Sequence, residues 1–222
     1  GDVYFQQGRY HAALDQYQRS LPLIFASYHR ATAYLRLVRL YLKKGDLRRA
    51  EESARQELRD QKGFGALMVA VARGDLNAAE RLRTQYVDFP GGKRHAAIDN
   101  RLNEYCLGLL ALRSGRAAEA IDHSKEVTRR PPLIWNIDGA AEDCLADAYL
   151  ELGRLDEAIA EYERILRLNP SYPLAHYHLG QAYERKGEGE KARAAYEQFL
   201  RIWRDADADI PEVVGAKARL AG

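Results

Sequence analysis

The fold of this chain is decided by residues 145–162, which read LADAYLELGRLDEAIAEY. Apolar residues recur every three or four positions on both sides of Gly153, from Leu145 to Tyr162. This spacing places the apolar side chains on one face of a helix. The segment therefore predicts two amphipathic helices that meet at a turn around Gly153.

The same arrangement recurs along the whole chain. Six glycines are each followed five residues later by an alanine, and successive glycines are 37, 29, 41, 38 and 34 residues apart. The pairs are Gly8 and Ala13, Gly45 and Ala50, Gly74 and Ala79, Gly115 and Ala120, Gly153 and Ala158, and Gly187 and Ala192. Such a period predicts a repeat protein in which helix pairs stack on one another.

The glycine and the alanine each have a physical reason. Glycine accepts the left-handed backbone conformation that closes a helix. Alanine is small enough to let two helices cross closely. Asp46 and Asp75, directly after their glycines, are expected to cap the second helix of the pair.

Residues 145–170 resemble a complete tetratricopeptide (TPR) repeat through Leu145, Ala146, Tyr149, Gly153, Ala158, Tyr162 and Pro170. The resemblance implies an all-α fold, a right-handed α-α superhelix of six helix-turn-helix repeats with a C-terminal capping helix. The expected repeats, numbered 1 to 6 below, occupy residues 1–28, 31–60, 61–88, 98–132, 139–172 and 173–206, and the capping helix residues 210–221.

The resemblance covers nearly the whole chain but is weakest in repeat 3. Gly63 and Gly65 are expected to interrupt the first helix of that repeat. Residues 88–95, with Pro90 and two glycines, predict a loop. Repeat 1 begins in mid-helix at Gly1, so we expect an upstream half-helix. Because stacked repeats share one core, a single array is expected without a second domain.

Composition argues against several other classes of protein. Residues 1–110 carry 18 basic and 12 acidic residues and residues 111–222 carry 16 and 20, too even a balance for a nucleic-acid surface. The two cysteines cannot form the disulfide framework of a small secreted domain. No apolar run reaches the ~20 residues needed to span a membrane. These features predict a cytoplasmic protein that binds neither nucleic acid nor membrane.

No pattern for catalysis, cofactor or metal binding stands out. His176 and His178 are two residues apart, so their side chains diverge on a helix and do not form a chelating pair. Cys106 and Cys144 hold the same position in repeats 4 and 5 and are expected to be packed thiols. Asp205, Asp207 and Asp209 lack the glycine of a calcium loop, since Ile210 stands there. We therefore expect a protein that is not an enzyme and has no cofactor or metal.

The resemblance places the partner-binding surface on the concave side of the array. In this family the residues ten, six, three and two positions before each glycine line that side. The candidate partner-binding residues are Arg39, Lys43, Tyr105, Leu109, Arg113, Asp143, Asp147, Tyr177, Gln181 and Arg185, accompanied by Leu35, Leu42, Leu112, Leu150, Glu151 and Glu184. Such a mixture of aromatic, amide and charged groups suits an extended peptide or a helix.

Two functional hypotheses follow. The first is a protein-protein interaction scaffold that binds a peptide or a partner domain in the groove. The second is a regulatory or self-association module of a larger bacterial signalling protein, such as a kinase or a transcription regulator. The second arises because the segment after repeat 6, from Phe199 to Leu220, is similar to the C-termini of TPR arrays in such proteins.

Overall fold

The computed structural model describes residues 1–59, 63–87, 96–129 and 143–221, and within these ranges it contains helices and no strand. A short 3-10 helix at Leu21–Leu23 and a π-helical turn at Arg83–Val87 accompany the α-helices. The α-helices are α1 Asp2–Gln6, α2 Tyr10–Ser20, α3 Ser27–Lys43, α4 Leu47–Arg59, α5 Phe64–Arg73, α6 Leu76–Leu82, α7 Ala96–Arg113, α8 Ala117–Arg129, α9 Cys144–Glu151, α10 Leu155–Leu168, α11 Pro173–Lys186, α12 Gly189–Ile202 and α13 Pro211–Ala221. The predicted all-α class is confirmed.

The helices form consecutive pairs, as the repeat predicts. The pairs α3 and α4, α5 and α6, α7 and α8, α9 and α10, and α11 and α12 each pack together across a glycine turn. Gly8 lies between α1 and α2 in the same way. The predicted loop at residues 88–95 lies outside the described residues, as do the expected repeat boundaries near 60 and between 132 and 139.

The turn between α9 and α10 shows why glycine is needed there. Gly153 has φ +74°, a left-handed conformation that a side chain would strain. The N–H of Arg154 then donates to the carbonyl oxygen of Tyr149 at 2.9 Å, which satisfies a carbonyl at the end of α9. All six predicted glycines have φ between +70° and +82°.

Aspartate capping of the second helix is confirmed in two repeats. The Oδ1 of Asp75 accepts from the N–H of Ala78 at 2.9 Å, and the Oδ1 of Asp46 accepts from the N–H of Arg49 at 3.0 Å. Each bond satisfies a backbone donor that has no partner within its helix.

The small residues of the repeat lie where two helices meet. Five of the six alanines have no exposed surface, and Ala192 is also buried; the five are Ala13, Ala50, Ala79, Ala120 and Ala158. On the facing helix, a Cβ added to Gly108 would lie 3.6 Å from the carbonyl oxygen of Ala120. The backbones of α7 and α8 therefore approach within van der Waals contact, which only small side chains permit.

Repeat 3 differs from its prediction. Gly63 and Gly65 do not interrupt a helix. Gly63 is the N-cap residue of α5, and Gly65 lies in the first turn of that helix. The N–H of Gly65 donates to the Oε2 of Glu57 at 2.7 Å, and Glu57 is fully buried in α4. A Cβ on Gly65 would lie 2.4 Å from that oxygen, so this glycine makes room for a buried carboxylate cap.

The described residues divide into two compact units. Unit 1 contains residues 1–5 and the described residues from 10 to 129, and unit 2 contains residues 6–9 and the described residues from 143 to 221. In unit 1 the core joins α2 to α5 around Leu37, Val38 and Leu40, and joins α3 to α7 around Leu67 and Leu110. A single array that spans both units stays a prediction.

The capping helix predicted at residues 210–221 is confirmed as α13. Val213 and Ala216 of α13 are buried, as is Ile210 directly before it, and α13 packs against α12. The Arg219 Nε donates to the Oε2 of Glu184 at 2.8 Å, which ties α13 to α11 as well. None of the helices in the described ranges combines the length and the apolar character needed to cross a bilayer.

Two glycine substitutions in unit 2 test the close approach of helices. A Cβ on Gly180 in α11 would lie 2.7 Å from the Tyr196 ring of α12, whereas nothing lies within 4 Å of a Cβ on Gly189. We expect Gly180→Ala to lower the free energy of unfolding by about 1–3 kcal/mol, because the buried ring must move. Gly189→Ala should raise it by up to about 1 kcal/mol, since alanine favours the helix. Urea unfolding followed by circular dichroism measures both, and equal effects would contradict the packing.

Candidate partner-binding surfaces

In unit 1 the candidate residues lie on α3 and α7, the first helices of repeats 2 and 4. Leu35 is buried in the core that includes Met68 and Val71 of α5. Leu42, Tyr105 and Leu109 are partly buried and pack against the same core. The first helices of repeats 2, 3 and 4 therefore share an apolar surface that is only partly covered.

Basic side chains border this apolar surface. Arg39 and Lys43 are partly buried on α3, and Arg113 is exposed in the last turn of α7. The guanidinium of Arg39 lies 5.6 Å from the centre of the Phe5 ring, within the range of a cation-π contact. The name first-helix face is used below for Leu42, Tyr105, Leu109 and Leu112 with their basic border Arg39, Lys43 and Arg113.

Asp2, which lies beside Arg36 of α3, is engaged by two side chains. Asp2 accepts from the Tyr17 hydroxyl at 2.6 Å and pairs with Arg36 at 2.9 Å. Burial, and then the bond to Asp2, raises the pKa of Tyr17 far above its ordinary value, so the phenol stays a donor. Asp2 is therefore held by Tyr17 and Arg36.

In unit 2 the two candidate aspartates belong to a hydrogen-bonded network. Asp147 Oδ1 accepts from the Tyr162 hydroxyl at 2.5 Å and lies 2.9 Å from the Nδ1 of His178. Asp143 is 3% exposed and its Oδ2 accepts from the Tyr172 hydroxyl at 3.3 Å. Burial, and then the charge of Asp147, raises the pKa of Tyr162, which keeps its hydroxyl protonated as a donor.

The other three candidates of unit 2 lie on α11 and differ in their exposure. Tyr177 is only 7% exposed, and its ring packs 5.3 Å from Phe199 and 5.8 Å from Tyr196, measured between ring centres. Gln181 is partly buried and its Nε2 lies 3.4 Å from the Tyr177 hydroxyl. Arg185 donates through Nη1 to the carbonyl oxygen of Leu150 at 2.5 Å. Asp147, Gln181 and Arg185 are thus the candidates that a partner could reach in unit 2.

Sequence reasoning missed the side chains that organise the aspartates. Tyr162, Tyr172 and His178 hold Asp143 and Asp147 in place, although none of them occupies a position counted as partner-binding. His178 directly follows the candidate Tyr177 in α11, so only the packing of α11 against α9 brings it to Asp147. The sequence signal that could have indicated this cluster is the pair of aspartates four residues apart on one helix face, followed by a histidine in the next repeat.

The remaining sequence predictions concern histidines and cysteines. The two histidines of α11 have separate partners, because His176 Nε2 lies 2.8 Å from the carbonyl oxygen of Pro170 and His178 lies beside Asp147. Cys106 and Cys144 are buried and not joined in a disulfide, in agreement with packed thiols.

Because Tyr177 is buried, its substitution is expected to affect the stability of the fold. We expect Tyr177→Ala to lower the free energy of unfolding by about 3 kcal/mol, because it removes a ring packed between Tyr196 and Phe199. Tyr177→Phe keeps the ring and should cost less than about 1 kcal/mol, since it loses only a long hydrogen bond. Urea unfolding of both variants distinguishes the two, and an unchanged Tyr177→Ala would show that the ring is not packed.

Several known proteins and families are similar to this chain. Family models described as tetratricopeptide repeats match residues 1–62 and 174–203, and one described as a TPR repeat matches residues 146–187. The tetratricopeptide repeat and J domain-containing co-chaperone DNJ1 of Cryptococcus neoformans is 34% identical over 29% of this chain, and the match spans 12% of that protein.

Two further similarities involve other TPR proteins. The chloroplastic tetratricopeptide repeat domain-containing protein PYG7 of Arabidopsis thaliana is 40% identical over 30% of this chain, and the match spans 24% of that protein. The crystal structure of YrrB, a TPR protein with an unusual peptide-binding site, has a TM-score of 0.49 and 19% identity, covering 84% of this chain and 91% of YrrB. From the family models, this chain contains tetratricopeptide repeats in residues 1–62 and 146–203.

Proposed function

We propose that this chain is a protein-protein interaction scaffold that binds a peptide or a segment of a partner domain on the first helices of its repeats. The presence of TPR repeats supports a scaffold. The observation that carries the proposal is the first-helix face of unit 1, where partly buried Leu42, Tyr105 and Leu109 lie on a shared apolar core with basic side chains at the border.

The chemistry of this face defines the partner. Apolar side chains that remain partly open gain free energy when a partner covers them, by roughly 25 cal/mol for each Å² removed from water. Tyrosine adds a large contact area at a low entropy cost. Arg39, Lys43 and Arg113 favour a partner with carboxylates next to its apolar residues. The partner is therefore an acidic amphipathic segment, either extended or helical.

The helices that carry the face make it suitable for recognition. Leu35, Met68 and Val71 lie beneath it in the core, so the backbone of the face is held before a partner arrives. A rigid face loses little conformational entropy on binding.

Charge reversal on α3 tests the proposal. A displayed library of peptides, half of them acidic and leucine-containing and half with the acids replaced by lysine, serves as the probe. We expect the chain to select the acidic peptides, and Arg39→Glu with Lys43→Glu to weaken their binding about tenfold or more, because two attractions become repulsions. Fluorescence anisotropy with a selected peptide measures the affinity.

Arg48→Glu is the matched control. Arg48 is exposed on α4, the second helix of the same repeat, and lies outside the first-helix face. This variant should keep the affinity of the unmodified chain. Equal weakening by both changes would attribute the effect to overall charge, and selection of basic peptides would overturn the proposed partner chemistry.

A further inference from the structure

Three groups able to bind a metal ion converge in unit 2. They are the carboxylates of Asp143 and Asp147 and the imidazole of His178, and one potential ligand atom from each lies within 4.8 Å of the other two. Asp143 and Asp147 are four residues apart at the start of α9, so their side chains share one face of that helix. His178 comes from α11, the first helix of the next repeat.

The electrostatics of this cluster favour a divalent cation. Asp143 is 3% exposed, and a carboxylate so deeply buried needs an opposite charge or several donors. The hydroxyl of Tyr172 reaches it over a long 3.3 Å. The Nδ1 of His178 lies 2.9 Å from the Oδ1 of Asp147. Two carboxylates and one imidazole so close together form a ligand set whose formal negative charge one divalent ion balances.

The donor set selects the kind of metal. One imidazole nitrogen with two carboxylate oxygens suits zinc, which imposes little geometric preference of its own and is commonly held by three protein ligands with a fourth position open. Calcium and magnesium prefer oxygen ligands alone. Ligands around a tetrahedral zinc are about 3.4 Å apart, as follows from bonds of ~2.0–2.2 Å, and the three ligand atoms here lie within 4.8 Å of one another.

The surrounding side chains provide the support that metal ligands require. Tyr162 donates to Asp147 at 2.5 Å and Tyr172 donates to Asp143, so each carboxylate has an oriented partner behind it. Such outer partners fix ligand orientation and affect metal affinity. The Asp147 side chain is 36% exposed and that of His178 is 18% exposed, which leaves a path from solvent for the ion and for a water in the fourth position.

We propose that Asp143, Asp147 and the Nδ1 of His178 form a zinc site that joins the first helices of repeats 5 and 6. The ion binds between the Nδ1 of His178 and the two carboxylates and so bridges α9 to α11. The site goes beyond the proposed scaffold function and does not depend on it, because its ligands lie in unit 2 and the first-helix face lies in unit 1.

Isothermal titration of the metal-free chain with zinc tests the site. We expect one zinc ion per chain, and a higher melting temperature with zinc because only the folded chain presents the site. Asp147→Asn with His178→Gln should weaken binding by more than about 100-fold, and Tyr162→Phe by about tenfold, as is typical for loss of an outer partner. Circular dichroism without zinc checks that each variant is folded.

His176→Gln is the matched control, because it lies on the same helix and bonds to Pro170 instead of the cluster. It should bind zinc as the unmodified chain does. Cobalt(II) added to the unmodified chain gives a second measurement that needs no variant. We expect its absorption spectrum to show the bands of a tetrahedral site and no thiolate charge-transfer band. No binding, equal loss in His176→Gln, or a thiolate band from Cys106 or Cys144 would overturn the site.

Discussion

The structure depends on one constraint, the close contact of two helices at a small buried side chain. The repeated alanine, such as Ala120 or Ala158, lies buried where the second helix meets the first, and Gly108 on the facing helix confirms how near the backbones are. The turn glycine makes this contact possible, because its left-handed conformation reverses the chain within a few residues. With these two positions filled, the larger apolar residues on both helices meet in one core.

This arrangement explains where the functional surfaces lie. Most of the apolar residues are buried in the contacts within a helix pair and between successive pairs. The side chains of the first helices that lie outside these contacts are available to other molecules. In unit 1 that remainder is apolar with a basic border, around Leu109 and Arg39. In unit 2 it is polar and internally bonded, around Asp147 and His178. One repeat pattern thus supports two chemically different surfaces, because the positions outside the helix contacts are free to vary.

The sequence predicted the parts of the fold that depend on local chemistry. The six turn glycines, the capping role of Asp46 and Asp75 and the final helix α13 all follow from backbone conformation and hydrogen-bonding needs within a few residues. Interactions between distant residues were not predictable in this way. Glu57 caps α5 from the preceding helix, so Gly65 was misread as a helix breaker.

The candidate residues show the same limit. Position along the first helix selected Asp147 and Tyr177 as candidates, but the burial of Tyr177 depends on neighbours such as Phe199 that a repeat count does not include. The resemblance to bacterial signalling proteins stays a prediction.

The most direct test of the central contact compares two alanines on α10. Ala158 is buried where α10 meets α9, whereas Ala160 is exposed on the same helix. The free energy of unfolding of Ala158→Leu and Ala160→Leu, measured in urea, separates packing from helix propensity. The account predicts a loss of about 1–3 kcal/mol or more for Ala158→Leu and little change for Ala160→Leu. Equal stability of the two variants would contradict it.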